Sequence, residues 1–307
     1  MSLKNKYLIV LVGPTAVGKT ALSIEIAKRY QTSVLSADSR QIFKELSIGT
    51  AKASLEEQDG VPHYFVDSLS INEAFNAGIF EREGLKVLET LFATKDVVVL
   101  CGGTGLYVKA LLEGMDELPK TDLELRATLN QEFAQRGLEA MQEELKDIDP
   151  ATYNKIDIQN PLRVFRAIEV YRQTGKLLSE YKTGEKKARP FNVIKIGLTM
   201  HREDLYARID KRMDLMLAAG LEEEAKKYSA YRNVNALQTV GYSEIYGCID
   251  GLYDRVEMIR LLKRNSRRYA KRQLTWFAKD AEIKWFHPGA VGEIIAFIES
   301  RLNYKVQ

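Results

Sequence analysis

Eight consecutive residues, Gly13, Pro14, Thr15, Ala16, Val17, Gly18, Lys19 and Thr20, read GPTAVGKT directly after the apolar run YLIVLV. The spacing is that of G-x-x-x-x-G-K-[ST], a loop whose backbone N–H groups converge on phosphate oxygens. The helix expected to follow adds the positive end of its dipole, Lys19 adds a cation, and the Thr20 hydroxyl suits Mg²⁺. Nucleoside triphosphate hydrolases hold that metal with an acid at the end of another strand. Here the run VVVLCGGTG ends in glycines and Thr104, without an acid. The carboxylate on offer is Asp38, in SADSRQ, which can take a proton from a nucleophile or serve only as a turn or N-cap residue. Gly102, Gly103 and Gly105 allow close backbone approach around the Thr104 hydroxyl, or form only a tight turn.

Two basic features lie further along. Arg208 and Arg212, four residues apart, share a helix face and could clamp a diphosphate; pairing with Asp210 and Asp214 as a solvated face is the blander option, which the sequence alone favours. Between Arg255 and Lys279 there are nine basic residues against one acid, Glu257. Arg260, Lys263, Arg264, Arg267, Arg268, Lys271 and Arg272 fall on one helical stripe. Like charges so spaced repel, so a polyanionic partner is favoured over an ordinary solvated face. Tyr269, Trp276 and Phe277 could stack on a base or anchor this helix. His63, in GVPHYFVD, is a lone histidine beside an expected strand and is read as structural.

These residues need a frame. Strands are expected at 7–12, 33–39, 96–103 and 192–200, with helices at 19–30 and 78–94 between the first three. Apolar runs without alternation, separated by helices, argue for an α/β fold with a P-loop-type parallel sheet flanked by helices. In that architecture ligands bind beyond the carboxyl ends of the strands, so Gly13–Thr20, Asp38 and Gly102–Gly105 should converge. From 119 to 191 the pattern is helical and highly charged, and 182–191 reads as an exposed linker. The expected organisation is therefore a catalytic core of 1–118 and 192–307 carrying an all-helical insertion domain of 119–191. The 307 residues are 45% hydrophobic and 28% charged, with a net charge of +3, as in a globular protein. Cys101 and Cys248 match no metal spacing or disulfide framework, which points to a reducing cytoplasm. The N-terminus MSLKNKYLIVLVG reads as the approach to a buried strand, without a signal-peptide cleavage site. No run approaches the roughly 20 apolar residues needed to cross a bilayer.

Taken together, GPTAVGKT, SADSRQIFKELSIGTAK, GVPHYFVD, GGTGLYVKALLEG, NPLRVFRAIEVYRQTGK, ARIDKRMDLMLAAGLEEEA, LQTVGYSEI and KRNSRRYAKRQLTWF resemble, in order and over nearly the whole chain, the bacterial tRNA dimethylallyltransferases, or tRNA isopentenyltransferases, of the IPP transferase family. No Cys/His finger follows at the C-terminus, which matches the bacterial type. The resemblance implies transfer of a dimethylallyl group from dimethylallyl diphosphate to N6 of the adenosine 3′ of the anticodon, with release of diphosphate. It implies Asp38 as the base, Thr104 beside the target adenine, and Arg208 with Gly13–Thr20 on the diphosphate, with Mg²⁺ at Thr20. It carries tRNA contacts onto Asp38, Ser39, Arg40, Gln41, Thr104, Arg126, Leu162, Arg163, Val164, Phe165, Arg166, Gln238, Thr239, Val240, Gly241, Tyr242, Ser243, Lys271, Arg272, Gln273, Leu274, Thr275, Trp276, Phe277 and Ala278. Arg40 and Phe43 depart from the residues usual around that aspartate. The implied partners are the tRNA anticodon stem-loop and dimethylallyl diphosphate, with no membrane; a cytoplasmic monomer is expected. The rivals are an adenylate isopentenyltransferase acting on a free nucleotide, and a small-molecule P-loop kinase. The basic stripe and the full insertion argue against the first, because a mononucleotide needs neither.

Overall fold

The computed structural model describes residues 5–302. Residues 1–4 and 303–307, the outermost parts of the expected core domain, lie outside them.

Strand β1 (Tyr7–Val12) is buried at every position because it runs through the middle of a six-stranded sheet. Helix α1 (Lys19–Arg29) follows, presenting Leu22, Ile24, Ile26 and Ala27 to that sheet. Then come β2 (Val34–Ser36), the short α2 (Leu55–Gln58), β3 (His63–Tyr64), α3 (Ala77–Phe92), β4 (Val97–Gly102) and α4 (Gly105–Glu113). After the second unit described below, the chain continues with β5 (Asn192–Leu198) and, near its end, β6 (Lys284–Phe286), and every strand pairing is parallel, in the order β3-β2-β4-β1-β5-β6. Val10 lies opposite both Leu100 and Lys195, and Ser36 opposite Cys101. This register aligns the carboxyl ends of β1, β2 and β4, so the loops leaving them share one edge.

The chain forms two compact units. The second, Glu113–Lys187, holds α5 (Leu123–Ile148, interrupted at Gly137), α6 (Pro150–Lys155), α7 (Pro161–Thr174) and α8 (Leu178–Tyr181). Its own core includes Leu129, Met141, Leu145, Val164, Phe165, Ile168 and Leu178. The limits at 113 and 187 differ from the expected 119 and 191, and backbone pairing explains the difference. The Lys187 N–H donates to the Glu113 carbonyl at 2.8 Å, closing the base of this unit. Arg189 instead donates to the Leu111 and Ala110 carbonyls and to Glu81, and Phe191 packs on Phe92, all within the first unit. The end of the expected linker is thus anchored rather than exposed.

The first unit is completed by α9 (Arg202–Ala218), α10 (Leu221–Lys227), α11 (Tyr242–Ile249), α12 (Arg255–Phe277), β6 (Lys284–Phe286) and α13 (Val291–Arg301). In α12 the residues Met258, Leu262, Ser266, Ala270, Gln273 and Phe277 are buried, at the three- and four-residue spacing of one helical face. Leu262 and Met258 join Tyr242, Ile245, Met213 and Leu221 in a separate apolar cluster that also takes Ile42, Phe43 and Leu46. Among the described residues no helix is long and apolar enough to cross a membrane.

Candidate active site

The loop after β1 wraps the start of α1. Ala16 and Gly18 take left-handed backbone, φ 64° and 109°, a turn geometry that lets successive N–H groups face inward as an anion nest. Val17 is fully buried and holds the loop to the main core. Lys19 Nζ donates to the carbonyls of Gly13 and Pro14 at 3.0 and 2.7 Å. Burial lowers its pKa from 10.5 to about 8. Thr20 sits in the first turn of α1 and lines the same cavity.

That cavity measures about 510 Å³ and is lined by Thr15, Ala16, Lys19, Thr20, Asp38, Gly103 and others. Its cations are Lys19, Arg208, Lys211 and Arg212; its sole carboxylate is Asp38. Such an excess of positive charge in a partly dehydrated cleft suits a polyphosphate. Burial pushes the Arg212 guanidinium pKa down, and the guanidinium donates to Thr15 Oγ1 at 3.3 Å.

One oxygen of Asp38 serves the turn after β2, accepting from the N–H groups of Arg40 and Gln41 at 2.9 and 3.3 Å. The other has no hydrogen-bond partner among the described residues, so the turn reading and the base reading are compatible at this residue. Thr104 Oγ1 accepts from the Ser39 N–H at 3.0 Å, and the Thr104 N–H donates to the Ala37 carbonyl at 3.1 Å, clipping the turns after β2 and β4 together. Thr104 itself is not among the residues lining the cavity; its side chain meets the hydroxyl of Tyr269, which is. A second, smaller chamber of about 100 Å³ shares Thr15, Ala16, Asp38, Thr50, Arg212 and Tyr269 with the first. Asp38 therefore stands where the two meet. Gly49, Met213, Met216, Thr239 and Val240 are among the residues that line only the smaller chamber.

Helix α12 reaches into the site from its buried face. Gln273 accepts from the Thr15 N–H at 2.8 Å and donates to the Gly103 carbonyl at 3.0 Å. A Cβ on Gly103 would lie 2.1 Å from the Gln273 amide nitrogen, so only glycine allows this approach. Leu274 and Phe277 also pack inward, while Lys271, Arg272, Thr275 and Ala278 are exposed and Trp276 is 39% exposed.

The basic stripe divides in two. Arg260 pairs with Glu257 at 2.6 Å, Lys263 with Asp214 at 2.6 Å, and Arg267 with Asp210 at 2.5 Å. Arg268, Lys271 and Arg272 have no ion-pair partner among the described residues; Arg272 instead lies over the Tyr269 ring. Asp210 and Asp214 thus pair with cations of α12 rather than with Arg208 and Arg212. The solvated-face expectation for Arg208 and Arg212 is corrected by this arrangement: both line the cavity.

Several residues of the site escaped the sequence reading. Arg212, which the sequence offers only as one of two candidates for a diphosphate clamp, and Tyr269, offered only for stacking or anchoring, both line the main cavity, and so does His63, read as structural, with Nδ1 bonded to the Val61 carbonyl at 2.8 Å. Burial raises the Tyr269 phenol to about 12 and lowers His63. The available signal for Tyr269 was its position four residues before Gln273 on the same helix. Of the tRNA positions implied by resemblance, Thr239 and Val240 line the second chamber, Arg40 bonds Asn235 at 2.9 Å, and Tyr242 is fully buried. Gln238 and Gly241 lie in the turn that leads into α11, and Ser243, in the first turn of that helix, is bonded back to the Thr239 carbonyl.

In the second unit, Arg126 and Arg166 converge on the buried Glu169 and Val164 and Phe165 are core, whereas Leu162 and Arg163 are exposed.

Comparison with known proteins agrees with this arrangement. The sequence model described as IPP transferase matches residues 41–280. The tRNA dimethylallyltransferase of Cytophaga hutchinsonii is 74% identical over 99% of this chain and 100% of its own length. That named tRNA dimethylallyltransferase 1 in Bacteroides fragilis is 45% identical over 97% and 99%. The crystal structure of the full-length tRNA isopentenylpyrophosphate transferase from Bacillus halodurans superposes with a TM-score of 0.72 at 39% identity, covering 97% of each chain. A eukaryotic dimethylallyltransferase captured acting on tRNA gives a TM-score of 0.79 at 26% identity, over 98% of this chain and 81% of that one. A parallel sheet with a phosphate loop, an open carboxylate oxygen beside it, and these relatives over almost the full length lead to one conclusion: the chain belongs to the IPP transferase family.

Proposed function

We propose that this chain is a tRNA dimethylallyltransferase, which moves the dimethylallyl group of dimethylallyl diphosphate onto N6 of the adenosine 3′ of the anticodon. The observation that carries the reading is the cavity itself: its lining brings four cations and a phosphate loop together with Asp38, one of whose oxygens has no hydrogen-bond partner among the described residues. The diphosphate end of the donor lies against the 13–20 loop, with Lys19 exchanging its bonds to Gly13 and Pro14 for phosphate oxygens. Arg208 and Arg212 add charge where the leaving group gains it, which favours the transition state over the ground state.

In the transfer step the adenine nitrogen attacks the allylic carbon, a C–N bond forms and the C–O bond to diphosphate breaks. The proton leaves the nitrogen for Asp38, and the electron pair leaves with the diphosphate. Thr104 holds the Asp38 turn through Ser39. A base within a stacked loop must be extruded to reach such a recess.

The site residues fit Mg²⁺. Thr20 offers one hydroxyl to the cavity, and the described residues contain no cluster of three or more acidic, histidine or cysteine ligands. That is the donor set of an ion bound chiefly by substrate phosphates and water. When bound there, Mg²⁺ supplies charge neutralisation on the departing diphosphate.

The exposed cations Arg268, Lys271 and Arg272 support RNA phosphate binding along α12, and the protein is read as a cytoplasmic monomer. Incubation with dimethylallyl diphosphate and either unmodified tRNA or AMP, followed by mass spectrometry, tests the acceptor. Product on tRNA is expected; product on AMP alone would overturn the reading in favour of an adenylate isopentenyltransferase. Asp38→Ala should abolish transfer while tRNA binding survives, and retained activity would remove Asp38 from the base role.

A further inference from the structure

The wall shared by the two chambers includes Thr50, with Ala51 beside it in the larger and Gly49 in the smaller. These residues belong to a single turn. The Ala51 N–H donates to the Ile48 carbonyl at 2.9 Å, and Thr50 Oγ1 donates to the Leu46 carbonyl at 2.7 Å. Like the first turn of a helix, it leaves its leading N–H groups without internal partners.

Glu224, from α10, captures them. Its Oε2 accepts from the Ser47 and Ile48 N–H groups at 3.0 and 2.9 Å, and its Oε1 from Gly49 at 2.8 Å. The same Oε1 accepts from the Tyr242 hydroxyl at 2.6 Å. Four donors on one carboxylate is close to its full acceptor capacity. Burial raises the Tyr242 phenol pKa, so it remains a donor. The turn lies flat on that ring: a Cβ on Gly49 would sit 2.5 Å from Tyr242. The turn ends in a left-handed alanine, Ala51, φ 45°, a conformation that persists only where its surroundings enforce it. From Thr50 the restraint continues inward. The Thr50 carbonyl accepts from Gln41 Nε2 at 3.2 Å, and the Gln41 N–H rests on Asp38.

We propose that Glu224 is a positioning residue for the transfer reaction: by holding the 47–51 turn against Tyr242 it sets the wall that faces Asp38. It acts through Thr50, Ala51 and Gln41 and touches no reacting atom. The role of Tyr242 follows from the same geometry, since a fully buried ring acts by anchoring this carboxylate rather than by meeting RNA.

The inference rests on the proposed transferase activity, so wild-type protein acting on an unmodified anticodon stem-loop with dimethylallyl diphosphate is the internal control. No transfer by wild type would refute the transferase reading itself. Given an active wild type, Glu224→Gln should lower kcat at least about tenfold, because one acceptor oxygen becomes a donor facing N–H groups, while KM for dimethylallyl diphosphate stays within about twofold. Tyr242→Phe, which removes one of the four donors, should have a smaller effect in the same direction. A purely structural role would lower the unfolding midpoint and leave kcat unchanged well below it. If Glu224→Gln does not fold, Gly49→Ala displaces the same turn from the other side and should show the same selective loss of kcat. Wild-type kcat in the soluble variant would overturn the proposal.

Discussion

Lys19 makes the pH dependence of diphosphate binding calculable. Its ammonium sits against two loop carbonyls, and burial lowers its pKa from 10.5 to about 8. With that value the group is about nine-tenths charged at pH 7 and about one-tenth charged at pH 9. An arriving diphosphate favours the ammonium, so above pH 8 binding takes up a proton, and affinity falls by roughly tenfold between pH 7 and 9 on account of this one group. Pyrophosphate titrates as well, and Lys19→Met provides the reference that removes its contribution. Calorimetric affinities of both proteins for pyrophosphate, without Mg²⁺, should converge as pH rises, the wild-type constant falling about tenfold more steeply.

The free protein behaves in the opposite sense. The folded pKa lies below the unfolded one, so the unfolded chain holds more protons between about 8 and 10.5, and stability gained from this group rises with pH across that window. The full shift bounds the gain at about 3 kcal/mol, reduced by the solvent that reaches the partly exposed side chain. Parallel pH profiles for wild type and Lys19→Met would refute the assignment of Lys19 to the anion site.

Three other outcomes follow from named contacts. Gln273→Met keeps the shape but leaves the Thr15 N–H and the Gly103 carbonyl unpaired, at a cost of about 2–4 kcal/mol. Urea denaturation followed by tryptophan fluorescence reports it directly, because Trp276 lies on the same helix and the chain has only 2 tryptophans; a change under about 0.5 kcal/mol would contradict the bridging role. Arg268→Gln or Lys271→Gln should flatten the salt dependence of tRNA binding by about 0.7–0.9 in log–log slope, and Lys263→Gln, already paired with Asp214, by less. Equal slopes would count against the division of the stripe. Gly103→Ala should reduce activity by pressing on Gln273, measured as transfer to tRNA, and an unaffected rate would show that the approach is not needed.

The comparison of sequence with structure is most instructive on α12. The sequence showed a continuous row of cations and assigned it to a polyanion. In the fold, Asp210 and Asp214 of α9 neutralise Arg267 and Lys263. Arg264, between them, bonds the neutral Asn265, and the cations beyond Arg267 that lack an ion-pair partner among the described residues are Arg268, Lys271 and Arg272. Ion pairs between residues 49 and 57 positions apart in the chain have no local signature, so periodicity alone could not divide the row. The same helix shows why Gln273 was grouped with RNA contacts by resemblance, whereas its amide is buried and turned to the phosphate loop.

What the sequence determined by itself was local and periodic: the phosphate loop, the buried strands whose unbroken apolar runs require cover on both faces, and the aspartate placed after a strand. Those features specify which chemistry the chain can attempt, because loop geometry and strand burial depend on neighbouring residues. Pairing across the chain, by contrast, was settled by how the elements pack. Parallel register aligned three strand ends, Gln273 joined the loop to the glycine turn, and Glu224 reached back to Ser47, Ile48 and Gly49. Such contacts depend on how distant elements pack, and a side chain carries no mark in the sequence of the partner that packing will bring to it.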